Sequence, residues 1–326
     1  MKKLDHFTAE ILIKRTIAIF LVVISIAANS QTKGIPTLIM QGFGTKHDAN
    51  GQAEQVANIL KATGSYEIVH FRPGAALDFE TFTLSFSDYQ LIVMTGPDQN
   101  WPEKLKKAFQ SYLSEGGNLM VLHQGVISHQ DWDEFHKMIG LGWYKWDAGQ
   151  HLFWSDQENK WIATPLYHGV GAGHGKQHEF SVTNRNPEHP IMKGMPLNWL
   201  HAKDEFYHGL RGPAMNVELL ASAFSDKATW GSGDHEPVAW TVTYGKGRVF
   251  VTVMGHLFIK QYAEVVPGIN SFENENRAVE CVGFQTLVAR GAEWAATGKV
   301  TIPIPKEFPS ETKAFSTDTK LVNWKK

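Results

Sequence analysis

The stretch Gly117-Asn-Leu-Met-Val-Leu-His123-Gln124-Gly125 constrains the fold more than any other. Leu119 to Leu122 form a continuous apolar run with no polar alternation. Such a run reads as a strand buried on both faces, the setting of a central parallel strand covered by helices. It stops abruptly at His123 and Gln124, and Gly125 permits a sharp turn. In open α/β sheets, ligands sit outside the carboxyl ends of the strands. A histidine at such an end either faces a ligand or is satisfied by neighbouring backbone groups. The stretch alone leaves both readings open.

The flanking pattern extends the same architecture. Pro36–Met40, Tyr66–Phe71 and Tyr89–Met94 read as strands. A helix carrying Val56, Ile59 and Leu60 lies between the first two, with Asp48 or Asn50 as its cap and Gly64 at its end. A second helix starts near Trp101-Pro102, puts Leu105, Phe109, Tyr112 and Leu113 on one face, and ends at Gly116-Gly117. This alternation predicts an α/β domain with a mostly parallel central sheet and helices on both faces. Beyond Gly125 a short helix is expected at Trp132–Ile139, then an irregular stretch over 140–175. Strands are expected at His178–Thr183, Glu205–Leu210 and Val217–Phe224. Val238–Tyr244 and Arg248–Met254 flank Gly245-Lys-Gly247, a hairpin that adds an antiparallel extension. A last helix is expected over Arg277–Ala296, and Thr301–Lys326 reads as an extended tail, on the surface or partly disordered.

The first thirty residues read as an address. Lys14-Arg15 precede an apolar run from Thr16 to Ala28, and Ala28-Asn29-Ser30 offers small residues for a peptidase. The expectation is a signal peptide over 1–30, cleaved after Ser30, a main domain over 35–300, and a periplasmic or secreted product. The run is too short for a good membrane span, so no span is expected after signal removal. A net charge of −2 gives no basic footprint for nucleic acid. Cys281 is the only cysteine, which excludes an intramolecular disulfide and a cysteine-rich metal site. It falls in an apolar helical pattern and reads as a buried thiol. The chain holds 15 histidines and 11 tryptophans, a mixture that suggests metal ligation or an aromatic sugar-binding surface.

Three clusters could carry chemistry. His168-Gly-Val-Gly-Ala-Gly-His174-Gly-Lys-Gln-His178 is too rich in glycine for a helical ligand pair, but its imidazoles could converge in a loop; against this stands a mobile loop with solvated histidines. His178, at a strand start, is its best candidate. His201-Ala-Lys-Asp204-Glu205-Phe-Tyr207-His208 offers two carboxylates, of which an extended backbone turns only one toward any site. An exposed acidic pair is the competing reading, though the aromatic neighbours argue for burial and buried carboxylates need partners. Gly255-His256 ends an apolar strand as His123 does, and two such endings are more specific than one. Glu236, before the hairpin, is expected at the opposite end of the sheet with a structural role. No complete dinucleotide fingerprint, phosphate loop, nucleophile elbow or His-Glu-x-x-His is present, so no nucleotide cofactor is expected.

Val121-Leu-His-Gln-Gly125, His189-Pro-Ile, Trp199-Leu-His-Ala-Lys-Asp-Glu-Phe-Tyr207, Gly245-Lys-Gly-Arg-Val-Phe250, Gly255-His256 and Arg290-Gly-Ala-Glu-Trp-Ala-Ala296 together resemble the ThuA-like (trehalose utilisation) family. The resemblance implies a flavodoxin-like, class I glutamine amidotransferase-like sandwich. His123 stands where amidotransferases of that fold carry their nucleophilic cysteine, and Cys281 lies far along the chain, so glutamine hydrolysis is not expected. The resemblance implies carbohydrate metabolism, with a sugar oxidoreductase that makes 3-keto derivatives acting in the same pathway. A keto group acidifies the neighbouring C–H, so a base and a group that stabilises an enediolate are needed. The expected enzyme acts on a disaccharide, glycoside or 3-keto-sugar as a hydrolase, lyase or isomerase. Glu205, His123, His256 and Asp204 are its catalytic candidates. Gln124, Trp154, His178 and Tyr207 are candidates for substrate binding, and His123, Glu205 and His256 for holding a divalent metal such as zinc. A non-catalytic carbohydrate-binding protein is the alternative, and a protein docking on an oxidoreductase through its tail is a third.

Overall fold

The computed structural model describes residues 34–42, 47–72, 82–97, 100–257, 277–317, 321–322 and 324. The expected signal segment lies outside them. Residues 35–326 form one compact unit. Its centre is a 12-stranded sheet among the described residues.

The parallel half is built from β1 (Ile35–Met40), β2 (Tyr66–Phe71), β3 (Leu91–Met94), β4 (Asn118–Leu122) and β14 (Gly247–Thr252), in the order β2-β1-β3-β4-β14. β3 and β4 are buried at every position, as their unbroken apolar runs require. Helices α1 (Ala49–Thr63) and α5 (Val282–Thr297) pack against each other on one face. Helices α2 (Glu103–Ser114) and α3 (Asp133–Ile139) cover the sheet near β13 and β14. Asp48 caps α1 by accepting from Gly51 N at 2.8 Å. The short α4 (Arg277–Glu280) precedes α5, and Cys281 falls in the break between them rather than inside one helix. No helix among the described residues is long and apolar enough to cross a membrane.

The antiparallel half continues the sheet as β14-β13-β12-β8-β9, with β13 (His235–Tyr244), β12 (Val217–Phe224), β8 (His178–Asn184) and β9 (Asn198–Asp204). The expected hairpin is present, with Tyr244 paired to Gly247. Two expectations are corrected. No strand spans Glu205–Leu210: β9 ends at Asp204, and within that range only β10 (Tyr207–His208) pairs, with β7 (Gly173–His174). The stretch 140–175 is not strandless: β5 (Gln150–Ser155) and β6 (Lys160–Ala163) pair there, and β5 also joins β13 and β11 (Arg211–Gly212).

The tail lies on the body. Leu200 N donates to Ser310 O at 2.8 Å and Val282 N to Phe315 O at 2.9 Å, while Ile302, Val322 and Trp324 are buried.

Strand direction decides where the functional residues lie. The exits of β1, β3, β4 and β14 share one rim because those strands are parallel. The alternation of β14, β13, β12, β8 and β9 then puts the β12–β13 turn, the start of β8 and the end of β9 on that same rim. Asp204 at the end of β9 bonds Gly255 and His256 after β14, four places away in strand order, so the antiparallel half curls back on itself.

Candidate metal centre

Four side chains meet at this rim: His47, His123, Glu205 and His256. One ligand atom from each lies within 4.8 Å of the others. His47 follows β1, His123 follows β4, Glu205 follows β9 and His256 follows β14. His123 and Glu205 come directly after a strand, His256 shortly after one, and His47 stands just before Asp48, the cap of α1.

His123 opens a 3₁₀ turn, His123–Ile127, at φ 43°, a left-handed conformation that turns its ring into the cleft. Its Nδ1 donates to Val253 O at 2.7 Å, which fixes the tautomer and leaves Nε2 facing Glu205 Oε2 at 3.6 Å. His47 Nε2 is 3.1 Å from the same oxygen. The His47 and His256 ring centroids are 4.4 Å apart, and those of His123 and His256 are 5.2 Å apart. The Gln177 amide meets His256 Nδ1. His174 Nδ1, on a side chain 46% exposed, lies 3.5 Å from Glu205 Oε1.

The two adjacent carboxylates divide their work as an extended backbone requires. Glu205 faces the imidazoles. Asp204 faces the protein and accepts from Glu205 N (2.7 Å), Gly255 N (2.8 Å), His256 N (3.0 Å) and His201 Nε2 (2.9 Å). Gly255, at φ 105°, makes the turn that brings two of those donors to one carboxylate; a Cβ there would also strike Phe284.

Charges in the cleft are coupled. Burial pushes the Glu205 carboxyl up, but the facing imidazoles of His123, His47 and His256 outweigh it and hold the group well below its usual range. Burial lowers His123, but the Glu205 and Asp204 carboxylates outweigh it and raise its pKa. Burial lowers His256 to about 3 against the pull of Glu205, and it also lowers His47. The cleft thus holds a fixed negative charge, two neutral imidazoles and one imidazole that favours a proton. Behind it, burial opposes charge on His201, but Cys281 and Asp204 raise its pKa to about 10.

The other sequence candidates fall at varied distances from the cluster. Tyr207 is buried with its ring stacked on His123 at 4.5 Å, and burial, reinforced by the Glu205 carboxylate, drives its pKa well above the usual range. Gln124 follows His123 in the turn, and its buried Oε1 has no hydrogen-bond partner among the described residues. His178 pairs in register with Asp204 but turns its Nδ1 to Lys176 O at 2.8 Å, outside the cluster. Trp154 lies on β5, with the Arg185 guanidinium 4.4 Å over its ring and Trp161 edge-on. His168 gives its carbonyl, with that of Val170, to the buried Arg211, which clamps the glycine-rich loop.

Glu236 is a correction. β13 runs antiparallel to β14, so its start lies beside the end of β14, on the same rim as the centre and not at the opposite end. Glu236 is buried there against His151 Nε2 at 2.9 Å and Gly209 N at 3.1 Å. His47 was not singled out in the sequence, although the strand-end rule that selects His123 and His256 also covers the loop after β1.

The comparisons agree with this architecture. The model of the trehalose utilisation (ThuA) family matches residues 37–264. A ThuA-like protein from Parabacteroides merdae is similar at 36% identity and TM-score 0.78, over 87% of this chain and 98% of that one. A ThuA-like protein from Bacteroides uniformis shares the fold at 19% identity and TM-score 0.51, over 87% and 98% of the two chains. No curated protein matches the chain. With a curled sheet that is parallel in its core and a fold of the class I glutamine amidotransferase type, this chain belongs to the ThuA family of trehalose utilisation.

Proposed function

We propose that this protein is an exported, metal-dependent enzyme of carbohydrate metabolism that acts on a disaccharide, glycoside or 3-keto-sugar derivative. His47, His123, Glu205 and His256 would hold one divalent first-row ion. The observation that carries the reading is the convergence of three imidazoles and one carboxylate from four distant segments. Imidazole and carboxylate suit zinc and its neighbours. Ligand atoms bound at about 2.1 Å stand roughly 3–4 Å apart, close to the spacing here. The buried negative charge of Glu205 also favours a cation beside it, whether a proton on His123 or a metal ion. The apolar run over 16–28 supports export.

When bound, the ion supplies Lewis acidity to a sugar carbonyl or hydroxyl oxygen. The residues of the chain supply the rest. His174 is half exposed and outside the donor set, so it is placed to pass a proton between the sugar and solvent. Tyr207 keeps its proton and orients Glu205 rather than acting as a base. Gln177 and Asp204 fix His256 from two sides. With a 3-keto substrate, His174 would take the adjacent C–H proton to leave an enediolate, which can isomerise by taking the proton back or expel the glycosidic group, whose oxygen then receives that proton. A sugar oxidoreductase would supply that substrate.

The test is metal analysis of the purified protein, with turnover of 3-keto-glycosides by the wild type, Glu205→Gln and His256→Ala. The expected result is about one ion per chain and turnover in the wild type, with both lost in each variant. Unchanged turnover in both variants would overturn the assignment. The exposed aromatics Trp146, Tyr167 and Trp230 favour a second reading, a carbohydrate-binding protein without catalysis. Sugar binding that survives loss of His123, Glu205 and His256, with no turnover, would establish it.

A further inference from the structure

Trp230 buries little of its indole where it stands. It is 67% exposed and its backbone is left-handed at φ 70°, a conformation that side chains other than glycine and asparagine rarely adopt. The turn around it, between β12 and β13, is stiff. The Asp226 side chain accepts from Ala228 N at 2.8 Å, and its carbonyl accepts from Thr229 N at 3.0 Å and Gly231 N at 2.8 Å. Trp230 N itself donates to Lys227 O at 3.0 Å. An apolar indole is therefore held out in water on a rigid support. Backbone strain of this kind persists where the surrounding structure over-determines it, and it clusters at ligand clamps.

One short segment joins this indole to the metal centre. His174 reaches Glu205. Gly175 lies so close to Thr229 O that a Cβ would sit 2.1 Å from it. Lys176 N donates to Thr229 O at 2.8 Å, and its Nζ stands 4.4 Å from the Trp230 ring centroid. Gln177 meets His256. Strand order gives the offset: β13 neighbours β14 and β12 lies next beyond. The β12–β13 turn is thus one to two strand spacings from the end of β14, roughly 5–10 Å along the rim. The segment 174–177, which meets Glu205 and His256 at its two ends and carries the Lys176 contact to Trp230, therefore sets the indole beside the centre.

We infer that Trp230 and Lys176 form a subsite for a second sugar ring. When the centre engages one ring, the indole stacks on the C–H face of the ring glycosidically linked to it, and the ammonium donates to that ring's hydroxyls. The ligand class is then a disaccharide or longer glycoside rather than a monosaccharide. This inference rests on the carbohydrate reading above.

Trp230→Gly removes the indole and relieves the backbone, so it separates binding from packing. Trehalose, cellobiose and glucose are titrated by calorimetry into zinc-treated wild type and variant. The wild type is expected to bind at least one of the disaccharides tenfold or more tighter than glucose. The variant is expected to lose that preference, with affinity for glucose and zinc unchanged and a melting temperature equal or higher. Lys176→Met should give a smaller loss in the same direction. A variant that keeps the preference overturns the subsite, and so does one with a lowered melting temperature, which would make the indole a packing residue. A wild type that takes up zinc but prefers neither disaccharide sinks the subsite and leaves the centre standing. A disaccharide preference without zinc uptake does the reverse.

Discussion

Asp204 and Glu205 are neighbours in sequence with opposite tasks. Glu205 presents its charge to three imidazoles, whereas Asp204 accepts four hydrogen bonds, two of them from the turn that carries His256. Asp204→Asn would leave His201 buried without its carboxylate. Breaking one partner of a buried ion pair costs about 3–5 kcal/mol, so a clear drop in denaturation midpoint is expected. If the variant folds, its zinc affinity should fall about 10–100-fold, the usual effect of losing a carboxylate that orients metal ligands; calorimetry checks this. His129 offers a different test. It is buried among Trp101, Trp132 and Phe135, and burial lowers its pKa to about 3. The unfolded chain takes up this proton near pH 6.5 and the folded chain does not. Its contribution is therefore fully present above pH 6.5 and is lost as pH falls toward 3, with a slope approaching about 1.4 kcal/mol per pH unit. His129→Asn, which tolerates the φ of 51°, should flatten the acid limb of urea-derived stability by up to one proton.

At the scale of elements, α1 does more than cover the sheet. Asp48 caps it and also donates its backbone N–H to Leu257 O at 2.7 Å, while Gln52 Nε2 donates to Gly255 O at 2.6 Å. The helix start therefore braces the β14 exit beside His47. Asp48→Ala should cost about 1 kcal/mol by chemical denaturation, the ordinary worth of such a cap. The helices and parallel strands were legible because each obeys one period and ends in a recognisable cap or glycine. β9 was not. Its sequence Asn-Trp-Leu-His-Ala-Lys-Asp places His201 and Asp204 inside, and polar residues at buried positions erase the alternation that marks a strand. β5 and β6 were hidden likewise, since His151 is buried and the flanking residues are rich in glycine and tryptophan.

For the whole molecule, the final segment behaves as part of the body. Arg290 is buried with its guanidinium spread over the carbonyls of Pro190, Ile191, Lys193 and Ile302, the last of which belongs to that segment. Truncation after Val300 would remove this acceptor, the pairing of Ser310 with Leu200, and the buried Ile302, Val322 and Trp324. At about 1.5–3 kcal/mol per buried apolar side chain, the loss should exceed roughly 3 kcal/mol. The truncated chain is expected to melt well below the full one in calorimetry; an unchanged transition would mean that the segment only rests on the surface.

By itself the sequence determined the α/β class, the central strand ending at His123 and the hairpin leading to His256. These follow from local rules of apolar runs, glycine turns and motif spacing. Only the tertiary structure decided that Glu205 rather than Asp204 faces the imidazoles, that His47 joins them, and that Glu236 and Trp230 share their rim. Those outcomes depend on strand direction and on the curl that returns the end of β9 to the end of β14, and both are set by pairing between residues far apart in the chain.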